Sequence, residues 1–419
     1  MEHGLLYIIL ASIFGFFMAG GVGANDVANA MGTSVGSKVF TFKQAMFIAA
    51  IFEAAGALLA GGNVTDTIRS HIIDAQQFTG SPEILIFGML AALLAAGSWL
   101  FIASYYGWPV STTHSIIGAI IGFGAIVLGT QSIYWNEITT IVLSWVFTPI
   151  ISGTIAFLLF TSVQKLIFQS ENPIQRAKHF VPCYIFLVAM VLSLVTLLEG
   201  LQHLGLKFTI WKSILISLMI SIIVTSIGIF ALRRISIETS ETFKTQFKTI
   251  EKMFGILMIF TACSMAFAHG SNDVANAIGP LAAVVAIVKS GGNVAIKSTI
   301  PFWIMLIGAA GIVVGLAAYG LRVIKTVGEK ITHLTPSRGF AAELATASTV
   351  VIASGMGLPI STTQTLVGAI LGVGIARGID ALDLGIVRNI LLSWVITLPV
   401  GALLAIFYFY IIKMVFYGA

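Results

Sequence analysis

Gly23-Ala24-Asn25-Asp26-Val27-Ala28-Asn29-Ala30 recurs 247 residues later as Gly270-Ser271-Asn272-Asp273-Val274-Ala275-Asn276-Ala277. Each copy follows a long apolar run. A second phrase also pairs, at an offset of 250: Pro109-Val110-Ser111-Thr112-Thr113-His114-Ser115 with Pro359-Ile360-Ser361-Thr362-Thr363-Gln364-Thr365. The chain is therefore two copies of one unit, each carrying an acidic-amide motif and a hydroxyl motif. Carboxylates inside a membrane are costly and mark ion or substrate paths.

Composition makes the surroundings a membrane. Of 419 residues, 58% are hydrophobic and 9% charged, against about 25% charged in a soluble domain; the mean hydropathy is +1.00. The net charge of +5 fits loops facing an anionic lipid bilayer, and gives no nucleic-acid footprint. Cys183 and Cys263 suggest neither a disulfide framework nor a metal site. The first apolar run lacks a basic segment ahead of it and reads as a retained span.

Apolar stretches able to cross a ~30 Å hydrocarbon core fall at about 5–22, 40–61, 83–105, 112–129, 137–164, 181–198, 212–232, 253–269, 276–288, 300–321, 341–357, 361–376 and 386–414. The stretch 276–288 is short and completes a broken helix begun at 253. This predicts an all-α polytopic membrane protein of about twelve segments. Residues 1–165 form a first repeat, 166–252 two linking spans and a short basic loop, and 253–419 a second repeat.

Lys165, Arg176 and Lys178, and then Arg233, Arg234, Lys244, Lys248 and Lys252, cluster in two loops on one face. The Lys/Arg excess makes that face cytoplasmic and the loop near Glu199–Lys207 external. Charge alone does not place the loop holding Arg322, Lys325, Lys330 and Arg338. Seven segments separate the starts of the two copies, and an odd number inverts the second. Treating 83–105 and 112–129 as a re-entrant hairpin keeps the parity. Inverted repeats with broken or re-entrant helices are common in secondary transporters, with the site where the repeats meet.

On a helix, Asn25, Asp26 and Asn29 share one face, as do Asn272, Asp273 and Asn276. Gly20, Gly21 and Gly23 precede the first set, and their poor helicity predicts local unwinding that exposes carbonyls. These hard oxygens suit a small cation such as Na+. In the hydroxyl phrases, Ser-Thr-Thr opens an apolar helix, whose free N–H groups and partial positive charge make an anion site. Two such starts, Ser111, Thr112, Thr113 and Ser361, Thr362, Thr363, would surround a tetrahedral oxyanion. Two aspartates and a divalent anion repel, so cations and anion would bind together, as a symporter requires. Glu53 and Glu343 stand alone in apolar segments and are candidate coupling acids. They are not repeat mates. His114 is matched by Gln364, which favours a structural hydrogen-bonding role.

These phrases resemble the inorganic phosphate transporter (PiT) family in its prokaryotic type. Both copies of its Gly-x-Asn-Asp-Val-Ala-Asn-Ala signature are intact. Also similar are Glu251-Lys252-Met253-Phe254, the run Thr261–Asp273, Pro109–His114 and Gly357–Thr363. The resemblance covers nearly the whole chain. It implies cotransport of inorganic phosphate with Na+ or H+ through twelve segments, with re-entrant hairpins at the Ser-Thr-Thr turns. The short link at 233–252 points to the prokaryotic type and to the inner (plasma) membrane. The family also contains sulfate permeases and proton-coupled metal-phosphate carriers, which stay open as alternatives. A homodimer is suggested by analogy. A channel would line its pore with rings of charge. An enzyme would need a P-loop, a His cluster or a nucleophile motif, none of which occurs. No cofactor is expected beyond Na+ as coupling ion.

Overall fold

The computed structural model describes residues 3–198, 201, 205–235, 243–294, 299–330, 335–378 and 384–417. They form α1 (Gly4–Gly36), α2 (Phe42–Ala60), the short α3 (Gly62–Ser70), α4 (Pro82–Tyr106), α5 (Thr112–Leu128), α6 (Trp135–Val163) and α7 (Pro173–Leu198). Then follow α8 (Ile210–Arg233), α9 (Phe243–Asp273), α10 (Ala275–Lys289), α11 (Phe302–Lys330), α12 (Pro336–Gly355), α13 (Thr362–Arg377) and α14 (Leu384–Tyr417). Among the described residues there is no strand, and nine stretches are long and apolar enough to cross a membrane. With α3 set aside and α9–α10 taken as one broken helix, these are the expected twelve segments.

The repeats run in opposite directions. His3 at the start of α1 packs against Phe416 at the end of α14, and the Tyr417 hydroxyl donates to Glu83 at the start of α4. At the other end of α1, Ser37 reaches Met258 of α9, and a Cβ on Gly339 near the start of α12 would meet the Met258 side chain. So α4 enters from the end where α1 begins, and α12 from the end where α1 finishes. Each turns back as a hairpin, α4–α5 and α12–α13, and the two tips meet: Thr113 Oγ1 donates to Ile360 O at 2.8 Å, and Thr363 Oγ1 to Val110 O at 3.4 Å. α5 packs along α14, and α13 along α6.

The loop that charge left unplaced falls at the basic end, where the Ser337 N–H and hydroxyl both donate to Glu251, each at 2.8 Å. The side chains of Lys244, Arg322, Lys325 and Lys330, and much of the expected external loop 199–207, lie outside the described residues.

Two large apolar clusters fill the interior, and they divide α1. Tyr7 to Val22 belong to one, and Val27 to Met31 to the other. The Asn-Asp phrase lies at the seam.

The expected unwinding before Asn25 does not occur, and α1 is continuous from Gly4 to Gly36. The glycines serve helix approach instead. A Cβ on Gly23 would sit 1.9 Å from Ile312 O of α11, and one on Gly270 would sit 2.1 Å from Glu53 O of α2. The second copy does break, at Val274, between α9 and α10. Pro280 inside α10 cannot donate to the carbonyl four residues back.

Candidate functional site

The two asparagines of each phrase act differently. The first clamps its own repeat's hairpin. Asn25 Nδ2 donates to Trp108 O (2.9 Å) and Ser104 Oγ (3.3 Å), while its Oδ1 accepts from Val110 N (3.2 Å). Asn272 Nδ2 donates to Ser354 Oγ (3.0 Å) and Leu358 O (3.1 Å). The second reaches the other repeat's hydroxyls. Asn29 Nδ2 donates to Thr363 Oγ1 (2.8 Å) and Thr362 Oγ1 (3.5 Å). Asn276 Nδ2 donates to Thr112 Oγ1 and Thr113 Oγ1, both at 3.2 Å.

Ser111 and Ser361 are N-caps. Each hydroxyl accepts the N–H three residues on, from His114 at 3.2 Å and Gln364 at 3.3 Å. Capping leaves the first-turn N–H groups directed out of each helix start. Thr362 Oγ1 donates to Asp273 Oδ2 (2.7 Å), Thr363 Oγ1 to Asp26 Oδ1 (3.4 Å), and Asn29 Nδ2 also to Asp26 Oδ1 (3.1 Å). Asp26, Asn29, Thr362, Thr363 and Asp273 are thus one connected set, and Asn276, Thr112 and Thr113 a second; both are buried where the hairpin tips meet.

A histidine that neither repetition nor spacing marks, His269 in the run Thr261–Asp273, joins them. His269 Nε2 lies 2.9 Å from Asp273 Oδ2 and 3.9 Å from Asp26 Oδ2, and its Nδ1 lies 3.3 Å from Glu53 Oε1. Among the described residues these three carboxylates make ion-pair contacts only with this imidazole. It can neutralise at most one of them. Ligand atoms of Asp26, His269 and Asp273 lie within 4.8 Å of one another. Two carboxylates that close repel by about 3–4 kcal/mol at an effective dielectric of about 20. That exceeds the ~0.5–1.5 kcal/mol of an ordinary hydrogen bond. Asp26 Oδ2, Asp273 Oδ1, Asn272 Oδ1 and Asn276 Oδ1 are buried with no donor among the described residues. Buried acceptor-only oxygens in a negative pocket fit a hard cation.

Glu53 and His269 each lack a repeat mate, Glu53 standing in the first repeat and His269 in the second. The Gly23–Ile312 and Gly270–Glu53 approaches are equivalent, so Ile312 stands where Glu53 would be, and Val22 precedes the first phrase where His269 precedes the second. Glu343 is apart from this set. Thr33 and Ser34 each donate to its Oε1 at 2.5 Å, and Thr261 to its Oε2 at 2.6 Å.

The profile of the phosphate transporter family matches residues 22–405. A Haemophilus influenzae protein carrying the provisional name phosphate permease is 54% identical over 418 residues, covering 99% of each chain. The Arabidopsis thaliana protein named inorganic phosphate transporter 2-1, chloroplastic, is 43% identical over 416 residues, covering 95% of this chain and 71% of its own length. The solved structure described as the sodium-dependent phosphate transporter superposes with a TM-score of 0.90 at 39% identity, covering 98% of this chain and 99% of that one.

Proposed function

Because the chain belongs to the phosphate transporter family, we propose that it is a secondary-active symporter importing inorganic phosphate with Na+ by alternating access. One observation carries this reading: the two Ser-Thr-Thr helix starts meet beside two aspartates, with no lysine or arginine among the described residues in contact with either Asp. The anion would rest on Ser111, Thr112, Thr113, Ser361, Thr362 and Thr363 and on the free N–H groups of α5 and α13. Na+ would take oxygens from Asp26, Asn29, Asp273 and Asn276. Asn25 and Asn272 carry the clamps and would act on the cation mainly by fixing the hairpins. Without Na+ a phosphate dianion would meet uncompensated carboxylates, so each ion would raise the affinity of the other.

Residues 1–165 and 253–419 would be the moving repeats, with 166–252 as their link. The basic end of the molecule would face the cytoplasm of an inner (plasma) membrane, and a homodimer is the expected assembly.

His269 favours a second reading. An imidazole bridging Glu53 to Asp26 and Asp273 is suited to carry a proton, which supports H+ coupling on the same scaffold. Uptake of radiolabelled phosphate into proteoliposomes, with Na+ and pH gradients imposed separately, tests both. Accumulation is expected with an inward Na+ gradient at equal pH. Equal accumulation in Na+-free buffer under a pH gradient would replace Na+ with H+. Uptake of sulfate in preference to phosphate would replace the substrate.

A further inference from the structure

His114 and Gln364 stand 250 residues apart, the offset of the two hydroxyl phrases, so they are the same position in the two repeats. Their side chains touch: His114 Nε2 is 3.3 Å from Gln364 Nε2. Equivalent positions contact one another only where the local two-fold axis passes between them. The reciprocal Thr113–Ile360 and Thr363–Val110 bonds straddle the same axis. Each residue also donates the N–H that its capping serine accepts. The pair therefore joins the first turns of the two helices at the line about which they are arranged.

Hydrogen-bond logic fixes the pair's roles. His114 Nδ1 lies 3.3 Å from the Trp394 carbonyl. A carbonyl only accepts, so Nδ1 carries the proton and Nε2 offers its lone pair. The Gln364 amide N–H donates to it. The imidazole is further held by Trp145, whose ring centroid is 3.9 Å away and whose indole N–H donates to Pro359 O at 3.0 Å. Gln364 Oε1 has no hydrogen-bond partner among the described residues, so the amide's recorded hydrogen bond is the one to His114. The groups facing the ring from α6, α13 and α14 are Trp145, Gln364 and Trp394, all uncharged.

We propose that His114 and Gln364 are positioning residues that set the separation of the two Ser-Thr-Thr helix starts, and that phosphate affinity depends on the hydrogen bond between them. This rests on assigning the anion to those helix starts. An oxyanion shared by two rigid donor sets binds well only at one spacing, because a displaced set loses its bonds. Phosphate contacts neither side chain in this scheme.

The test uses the purified full-length chain in proteoliposomes. Parent uptake of phosphate comes first; if the parent takes up none, the substrate assignment fails independently of this pair. His114→Leu and Gln364→Leu should each raise the phosphate KM about tenfold, the scale of one lost hydrogen bond, with Vmax near the parent. His114→Gln keeps both an acceptor and a donor and should stay within about twofold. The double variant H114L/Q364L should be no worse than either single one. Size-exclusion profiles and Tm check folding; if H114L does not fold, Q364L against H114Q gives the same comparison. Folded leucine variants with parental KM, or additive losses in the double variant, overturn the proposal. So does an Nε2–H tautomer of His114 in nitrogen NMR of the labelled protein.

Discussion

At the residue scale, the site is an arrangement of excess negative charge. Asp26, Asp273 and Glu53 share one imidazole. Asp26→Asn and Asp273→Asn should each lower phosphate uptake at least about tenfold, because a ligand charge next to the cation is removed. The same variants should raise Tm in Na+-free detergent by about 2–4 °C, since mutual repulsion is relieved. Opposite signs for transport and stability distinguish this from misfolding; near-parental uptake by either variant would return that aspartate to a structural role. The sequence made the aspartates legible because they recur. His269, Glu53 and Glu343 do not recur, so repetition gives no hint of their partners. The available signal for His269 was its place directly before Gly270, one residue from a phrase already known to be polar.

At the element scale, hydropathy found every membrane stretch but shortened several. α9 begins at Phe243, and α11 runs to Lys330, where charged residues continue a helix beyond its apolar core. The glycines before Asn25 carry the local signature of a helix break. They serve as contact surfaces instead, Gly21 against α4 and Gly23 against α11, and no local pattern reveals partners so distant in sequence. A further repeat is present: Leu143-Ser144-Trp145-Val146 matches Leu392-Ser393-Trp394-Val395, in the helices that pack along α13 and α5. The close crossings give a prediction. Gly23→Ala and Gly270→Ala place a methyl about 2 Å from a backbone carbonyl, and should each lower stability by about 1–3 kcal/mol or more. Gly80→Ala, where a Cβ would meet nothing within 4 Å, should leave Tm unchanged. Thermal unfolding in detergent measures all three; equal Tm for all would mean the crossings are loose.

At the scale of the whole molecule, opposed repeats require that the two ends of α1 face different compartments. With Cys183 and Cys263 changed to alanine, Gly80→Cys should react with a membrane-impermeant maleimide from outside intact cells. Asn172→Cys, at the basic end, should react only after the cells are opened. Labelling of both from one side would contradict the opposed ends, and the reverse pattern would overturn the orientation derived from charge. The overall architecture was legible because parity and loop charge are properties of the entire chain. The convergence of the two Ser-Thr-Thr starts follows from the pseudo-symmetry; which atoms of the tips touch does not, because that depends on how far each hairpin penetrates, which hydropathy does not encode.

The division of labour between the two asparagines of each phrase bears on ancestry. Asn25 and Asn272 complete a structure inside their own half, whereas Asn29 and Asn276 reach the threonine hydroxyls of the opposite half. A polypeptide of half this length would hold its own hairpin yet leave its second asparagine without those threonine partners. It could assemble the pocket only with a second copy inserted upside down, so a founding gene of that size would have had to deliver its product into the membrane both ways up. Fusion of two such genes removes that demand, and it frees each half to change alone: the first carries Glu53 where the second has Ile312, and the second carries His269 where the first has Val22.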